Sequence, residues 1–308
     1  MCGRFPAKLA LEQIAKRPSQ TEQATIACCD HVSFCGNAML FLQRFFSANR
    51  KLARAITPEH VHEANVFGVY RKVGTICLAH PSVRNVVDCG AGKRWHFPTH
   101  YKKWFGIHLI GLDIDANEMV ANAVLDERIQ CDVTKSIPLP AESVDLILVA
   151  SGIEHFSDNR SFLKNCFLAL KPGGYLLAQF PGRYAPFAIA NRLLPGKFAS
   201  KLLNTAVPDD VGVLGFKAHY DKTNFSAFAR LAEISGFDIE YYCPGFYSSA
   251  YAEFFFPLWC CSYAYDCIRF ALGWKNLSSY NLFLLKKPGR LLEEEHSRDF
   301  ELYAWGKI

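Results

Sequence analysis

No C-x-x-C pair occurs among the 12 cysteines of this 308-residue chain. Adjacent pairs such as Cys28-Cys29 and Cys260-Cys261 are poor frames for tetrahedral zinc or for a stapled small fold, which argues against both classes. Several cysteines lie in apolar runs, where a free thiol serves as a small hydrophobe. A reducing, cytoplasmic compartment and no bound metal are therefore expected. The N-terminal stretch lacks a sustained apolar region, so no signal peptide is expected. No segment reaches the ~18 uncharged residues of a transmembrane helix. Charge of one sign is also scarce: the net charge is +5, without the concentrated basic face that nucleic-acid binders show. An acidic substrate or a membrane surface is compatible with that balance; nucleic acid is not expected.

Hydrophobic residues make up 50% of the chain and charged ones 20%, a globular composition long enough for one large core. Residues 1–33 are polar and mixed in charge and are expected to be poorly ordered. Residues 34–80 read as N-terminal helices covering the site: an amphipathic helix from Gly36 to Ile56, then a second one opened by Thr57-Pro58-Glu59 and running to about Ala79. From there the pattern shortens. "NVVDC" (85–89), "IHLIGLD" (107–113), "RIQCD" (128–132), "VDLILVA" (144–150) and "GYLLAQF" (174–180) are continuous apolar runs bounded by Gly, Pro, Asp or Asn. Such runs suit strands covered on both faces. With "FDIEYYC" (237–243) and "YNLFLLKK" (280–287), following a helix near 222–235, they predict an α/β fold: a doubly wound, Rossmann-like, seven-stranded sheet over residues 81–288. Insertions are expected at 181–221 and 244–279, with a charged tail at 289–308. The second insertion is aromatic-rich and helical, and it is uncharged from Phe254 to Tyr265. It is either a helix packed on the domain or on a second subunit, as in a homodimer, or an apolar patch at 246–274 meeting a membrane or lipid-like substrate.

The chemistry-bearing stretch is "NVVDCGAGKRWHF" (85–97), a strand entering a turn with Gly90 and Gly92. In an open α/β sheet the ligand sits outside the carboxyl ends of the strands, and Gly-x-Gly lets backbone approach it. Asp88 can accept from loop amides or a ligand ammonium, and Asp113, ending the second strand, can grip a ribose diol. To this point a nicotinamide dinucleotide and S-adenosylmethionine are equally served. Three features separate them: the dinucleotide fingerprint's third glycine is missing, Asp132 follows the third strand where it can accept from an adenine amino group, and "LKPGGYLL" (170–177) gives a helix end, a turn and a strand in register.

In the order and spacing of these motifs, residues ~80 to ~180 resemble the class I S-adenosylmethionine-dependent methyltransferases, in the branch of small-molecule and quinone-biosynthesis enzymes. "VVDCGAG", "GLDID", "CDV", "VDLILVASGIEHF" and "LKPGGYLL" carry the resemblance. It implies S-adenosylmethionine as cofactor, with Gly90 and Gly92 at the methionine part, Asp113 at the ribose and Asp132 with Val133 at the adenine; Asp88, Ala91, Ile114 and Ser151 complete the expected cofactor-binding set. The family's usual third glycine is Arg94 here, after Lys93, a basic pair at the expected helix start. The implied reaction is in-line methyl transfer to a small-molecule or lipid-linked acceptor. His155 is the candidate base if the nucleophile is a hydroxyl; the alternative is a histidine that caps the next helix or bonds to the loop. Glu154 reads as a ligand-loop or structural acid rather than a metal ligand. Arg183, Tyr184, His219 and Tyr220 follow the fifth strand, where the acceptor pocket is expected. Two other readings compete: a nicotinamide oxidoreductase on the related fold, and a S-adenosylmethionine-binding scaffold without turnover that docks through the aromatic insertion.

Overall fold

The structure is a computed structural model that describes residues 40–58, 65–193 and 217–289. The expected disordered segment 1–33 and nearly all of the tail 289–308 lie outside the described residues, as does part of the first insertion. Seven strands form one sheet: β1 (Asn85–Cys89), β2 (His108–Asp113), β3 (Glu127–Gln130), β4 (Val144–Ala150), β5 (Leu170–Pro181), β6 (Asp238–Gly245) and β7 (Tyr280–Lys286). Their order is β3-β2-β1-β4-β5-β7-β6. All neighbours are parallel except β7, which runs antiparallel to both β5 and β6. The order reverses direction between β1 and β4, which makes their carboxyl ends the switch point.

Alternation along the strands builds two cores, one on each face. Val87, Ile147, Val149, Phe283 and Leu285 point to one, filled by Phe162, Cys166 and Phe228. Val86, Leu146, Leu148, Leu282 and Leu284 point to the other, filled by Tyr70, Leu78, Trp95 and Phe97. The helices covering these faces are α2 (Val66–Ala79), α3 (His100–Phe105), α4 (Ala116–Val120), α5 (Asn159–Ala169), α6 (Pro186–Leu193) and α7 (Phe225–Ile234). Preceding them, α1 spans 40–56; in the second insertion, α8 is Phe256–Ala271.

Thr57 Oγ1 donates to Ala53 O at 3.0 Å at the end of α1; the helix start expected at Thr57-Pro58-Glu59 runs into 59–64, which lie outside the described residues. Two local expectations are corrected. The helix ending at Ala79 starts at Val66 under an Asn65 cap, whose side chain accepts from Gly68 N. Nor does a helix follow the glycine turn directly. Trp95 and Phe97 are buried in the core, and the Phe97 ring fills the space above Gly74, where a Cβ would lie 2.3 Å from it. Anchoring two large rings in succession keeps the chain irregular until α3 begins at His100, so Lys93 and Arg94 belong to a loop rather than to a helix start.

Helix α8 has the polarity of an ordinary surface helix reversed. Its charged residues, Asp266 and Arg269, are both buried and paired with each other. Asp266 also accepts from Ser248 N, Ser248 Oγ and Ser249 N, each at 2.8 Å. Arg269 donates to Phe246 O at 2.7 Å and Ser279 Oγ at 3.2 Å, and also to Leu277 O. The pair thus pins α8 across the loops that enter and leave the insertion. Helix α1 docks on it: Ala53 packs with Ala252 and Trp259, Phe256 N donates to Asn49 Oδ1 at 2.9 Å, and Arg54 reaches Glu253 at 2.8 Å. Removing one member of a buried pair strands the other charge, at a cost of about 3–5 kcal/mol. Asp266→Ala is therefore expected to lower the thermal midpoint by roughly 10 °C, measured by circular dichroism, whereas the solvent-facing change Ala264→Ser leaves it in place.

Candidate functional site

The glycine loop closing β1 is held from both sides. Gly90 and Gly92 have φ of +71° and +48°, a conformation that side chains with a Cβ rarely adopt. Gly90 N and Ala91 N donate to Leu112 O at 2.8 and 3.2 Å. Gly92 N donates to Asp113 Oδ2 at 3.0 Å, and Asp113 Oδ1 accepts from Asp115 N at 3.0 Å. Asn122, buried beneath the loop, donates to Ala91 O at 3.2 Å and to Gly92 O at 3.4 Å. The Ala91 methyl lies against Gly111. Asn122 is a residue that sequence reasoning missed, because one polar residue in a turn carries no signal of what it holds.

Asp88 lies below this loop on the face shared with Tyr70. It is 3% exposed, and its Oδ2 has no hydrogen-bond partner. Burial, and then the nearby Asp113 carboxylate, push its pKa up to about 7. Asp132 differs. Its Oδ1 accepts from Thr134 N at 3.0 Å and Thr134 Oγ1 at 2.6 Å, and these hydrogen bonds, with Lys135, hold its carboxyl below the usual range. Cys131 between them donates its N–H to Asp113 O at 2.9 Å, so Asp113 and Asp132 share one edge. Ile114 is exposed, while Val133 is turned into the core.

A second group gathers beyond β4. Ser151, at φ +53°, donates N–H to Gln179 O at 2.8 Å and Oγ–H to Gln179 Oε1 at 3.1 Å. Gly152 reaches the glycine turn: a Cβ on Gly90 would lie 3.9 Å from its Cα. Glu154 and His155 follow in a short 3-10 turn. His155 Nδ1–H donates to Lys217 O at 3.3 Å, and burial holds its pKa below the usual value, keeping the ring neutral. His219 N and Tyr220 N donate to Glu154 O at 2.7 and 3.0 Å. Of the expected acceptor residues, Tyr220 is buried and is brought beside Glu154 and His155 together with His219. Arg183 and Tyr184 are not: the guanidinium lies over the Tyr184 ring at 5.4 Å, and that tyrosine faces outward. Glu154 itself, buried, and Gln179, an amide in an apolar strand, are the site-edge residues the sequence reading underweighted.

Residues 87–178 match the methyltransferase domain family. A probable S-adenosylmethionine-dependent methyltransferase of Mycolicibacterium smegmatis is 26% identical over 189 residues, 60% of this chain and 62% of that one. The human mitochondrial ubiquinone biosynthesis O-methyltransferase is 33% identical over 100 residues, 29% of this chain and 26% of that one. The chain thus spans less than two thirds of the length of these curated relatives. Among solved structures, Haemonchus contortus phosphoethanolamine N-methyltransferase 2 overlays with a TM-score of 0.44 at 15% identity, covering 72% of this chain and 53% of that one.

The raised Asp88 pKa has a consequence for stability. The unfolded carboxyl releases its proton near pH 4, the folded one only near 7, so the apo protein loses stability as pH rises between those values. Asp88→Asn, which removes that cost, is expected to melt above the wild type at pH 8, with the gap narrowing at pH 5. Scanning fluorimetry at both pH values reads it, and equal gaps would contradict the assignment. The switch-point loop, the ordered motifs and the sequence match agree over residues 87–178, the stretch that matches the methyltransferase domain family.

Proposed function

We propose that this chain transfers a methyl group from S-adenosylmethionine to a small-molecule or lipid-linked acceptor by in-line displacement. One observation carries the reading: the buried, unpartnered Asp88 Oδ2 beside two positive-φ glycines at the switch point. An orphaned carboxylate oxygen fits the ammonium of an amino-acid-bearing cofactor, since a buried acid needs a donor or a counter-charge. The bound cofactor supplies an electrophilic methyl on a sulfonium with a good leaving group, so the chain's part is mainly positioning. In this reading Asp88, Gly90, Ala91 and Gly92 hold the methionine part. Asp113 keeps unused lone pairs for the ribose beside Ile114. Asp132 and Val133 border the adenine, and Ser151, tied to Gln179, fixes the floor. For a hydroxyl acceptor, neutral His155 is the residue able to take the proton. Residues 81–288 carry the transfer, with 34–80 and the two insertions on the acceptor side. An S-adenosylmethionine-binding scaffold would use the same cradle, so turnover, read as S-adenosylhomocysteine release with an acceptor present, is what separates it from the enzyme.

Calorimetry with S-adenosylmethionine and S-adenosylhomocysteine tests this. Saturable binding is expected in the wild type, weakened at least about tenfold in Asp113→Ala, which frees the Gly92 and Asp115 amides and costs about 1.4 kcal/mol or more. Wild-type protein that binds neither compound would refute it.

A lipid surface is the partner that fits the second insertion. With both its charges turned inward, α8 presents Leu258, Cys261, Ile268 and Leu272 outward at helical spacing, beside exposed Phe270. On α1, Phe41, Phe45, Leu52 and Ile56 form a second outward apolar stripe, and the Phe45 and Phe255 rings lie 6.5 Å apart. Residues 40–56 contain four basic residues and no acidic one, which suits an anionic interface. Among the described residues no helix is long and apolar enough to cross a membrane. Flotation with phosphatidylglycerol vesicles is expected to carry the wild type, and Ile268→Glu with Leu272→Glu to abolish it. Absence of flotation together with a dimer by light scattering would assign the face to a second copy instead.

A further inference from the structure

Beside the glycine loop, a second buried acid is enclosed by side chains from widely separated segments. Glu154 is 6% exposed, and its Oε2 has no hydrogen-bond partner. Its Oε1 lies 3.9 Å from His155 Nε2. Among the described residues no lysine or arginine pairs with it. Tyr220 is fixed beside it by the Glu154 carbonyl, in a left-handed conformation at φ +51°. Tyr280, at the start of β7, feels the Glu154 and Tyr220 charges, and its hydroxyl meets that of Tyr251 from the second insertion at 2.5 Å. Phe187 of α6 packs tilted against the Tyr251 ring at 4.8 Å and stacks on Tyr280 at 5.3 Å, and Phe67 of α2 closes on Tyr280 at 5.2 Å.

We infer that Glu154, Tyr220, Tyr251 and Tyr280 form the acceptor subsite, and that the acceptor class they fit is an amine bound as its ammonium. The inference rests on the methyl-transfer reading above. Three arguments carry it. The loop bearing Glu154 lies against the glycine cradle through Gly152, so an acceptor held there sits beside the methyl donor's expected place. The rings and phenol oxygens gathered there attract and hydrogen-bond a cation; the Arg192 guanidinium already lies over the Tyr220 ring at 5.8 Å, which leaves the Tyr251 and Tyr280 phenols for the ligand. Third, charge distinguishes the acceptors. A neutral hydroxyl, whose proton His155 would take, leaves the buried Glu154 carboxyl unpartnered, and its ionised form without a counter-charge is costly. An ammonium brings the counter-charge with it.

The same geometry accounts for activation. An ammonium is no nucleophile. Transfer of its proton to the Glu154 carboxylate breaks one N–H bond, forms one O–H bond and leaves the electron pair on nitrogen, the pair that methyl transfer needs. Burial raises the Glu154 pKa to about 8, towards that of an amine, which lessens the uphill cost of the exchange. The other cationic source for this carboxylate is the cofactor's own sulfonium, and the test separates the two.

The test is calorimetry on the full chain saturated with S-adenosylhomocysteine, comparing ethanolamine, benzylamine, phenethylamine and spermidine with ethylene glycol, benzyl alcohol and 2-phenylethanol. At least one amine is expected to bind roughly tenfold more tightly than its matched alcohol, about 1.4 kcal/mol. Glu154→Gln should erase that preference and Tyr280→Phe weaken it, both leaving S-adenosylhomocysteine affinity unchanged. A melting curve on each variant guards against misfolding. No amine preference in protein that binds S-adenosylhomocysteine overturns the inference and spares the methyl-transfer reading. So does a Glu154→Gln variant that loses selectivity for S-adenosylmethionine over S-adenosylhomocysteine while keeping its amines, which would assign the carboxylate to the sulfonium. Failure of the wild type to bind S-adenosylhomocysteine overturns both.

Discussion

The hydrogen bond from Gly92 N to Asp113 Oδ2 is the contact on which the rest of the site depends. It ties the end of β1 to the end of β2, and with Leu112 O above and Asn122 below it leaves the glycine loop no freedom to follow a helix. Once the loop is fixed, Trp95 and Phe97 can reach back into the core, and Phe97 can occupy the space that Gly74 leaves on α2. A dinucleotide cradle closes its loop with a third glycine and a tight helix. Here aromatic burial performs the closure, and α3 starts only at His100.

Around that loop the carboxyl edge of the sheet carries acids in opposite conditions. Asp113 and Asp132 accept hydrogen bonds from amides and a hydroxyl and stand partly exposed. Asp88 and Glu154 are buried with one oxygen each unsatisfied, and both are raised towards neutrality. Such burial lowers the stability of the empty protein, a cost usually found where a ligand supplies the missing partner. Asp88 precedes Gly90 at the end of β1 and Glu154 follows Gly152 after β4, and the two glycines approach each other.

The second insertion follows a different logic. A paired Asp266 and Arg269 inside and an uncharged face outside invert the usual order of a surface helix. The inner pair is bound to both ends of the insertion, and this fixes which face of α8 looks out. Tyr251, carried by the same insertion, reaches Tyr280 at the acid cluster. The outward apolar face and the interior of the site are therefore parts of one folded unit, which links contact at the surface to the acceptor side of the site.

The sequence by itself determined the sheet and the cradle. Strands buried on both faces must be apolar throughout, so "NVVDC" and "VDLILVA" coincide with β1 and β4 residue for residue, and Gly90 and Gly92 could be found because a positive φ at a strand end asks for glycine. Element boundaries that depend on distant contacts were not legible. The helix ending at Ala79 was expected to run on from Pro58, but it starts at Val66 under the Asn65 cap, and Lys93-Arg94 looked like a helix entry until the buried Trp95 and Phe97 delayed it. Only the tertiary structure decided the acceptor side. Glu154, Tyr220, Tyr251 and Tyr280 come from segments up to 126 positions apart, from 154 to 280, and nothing in local spacing records which side chains β7 and the insertions bring together. Whether a carboxylate is solvated or buried without a counter-charge is likewise a property of the enclosing fold, not of the residue.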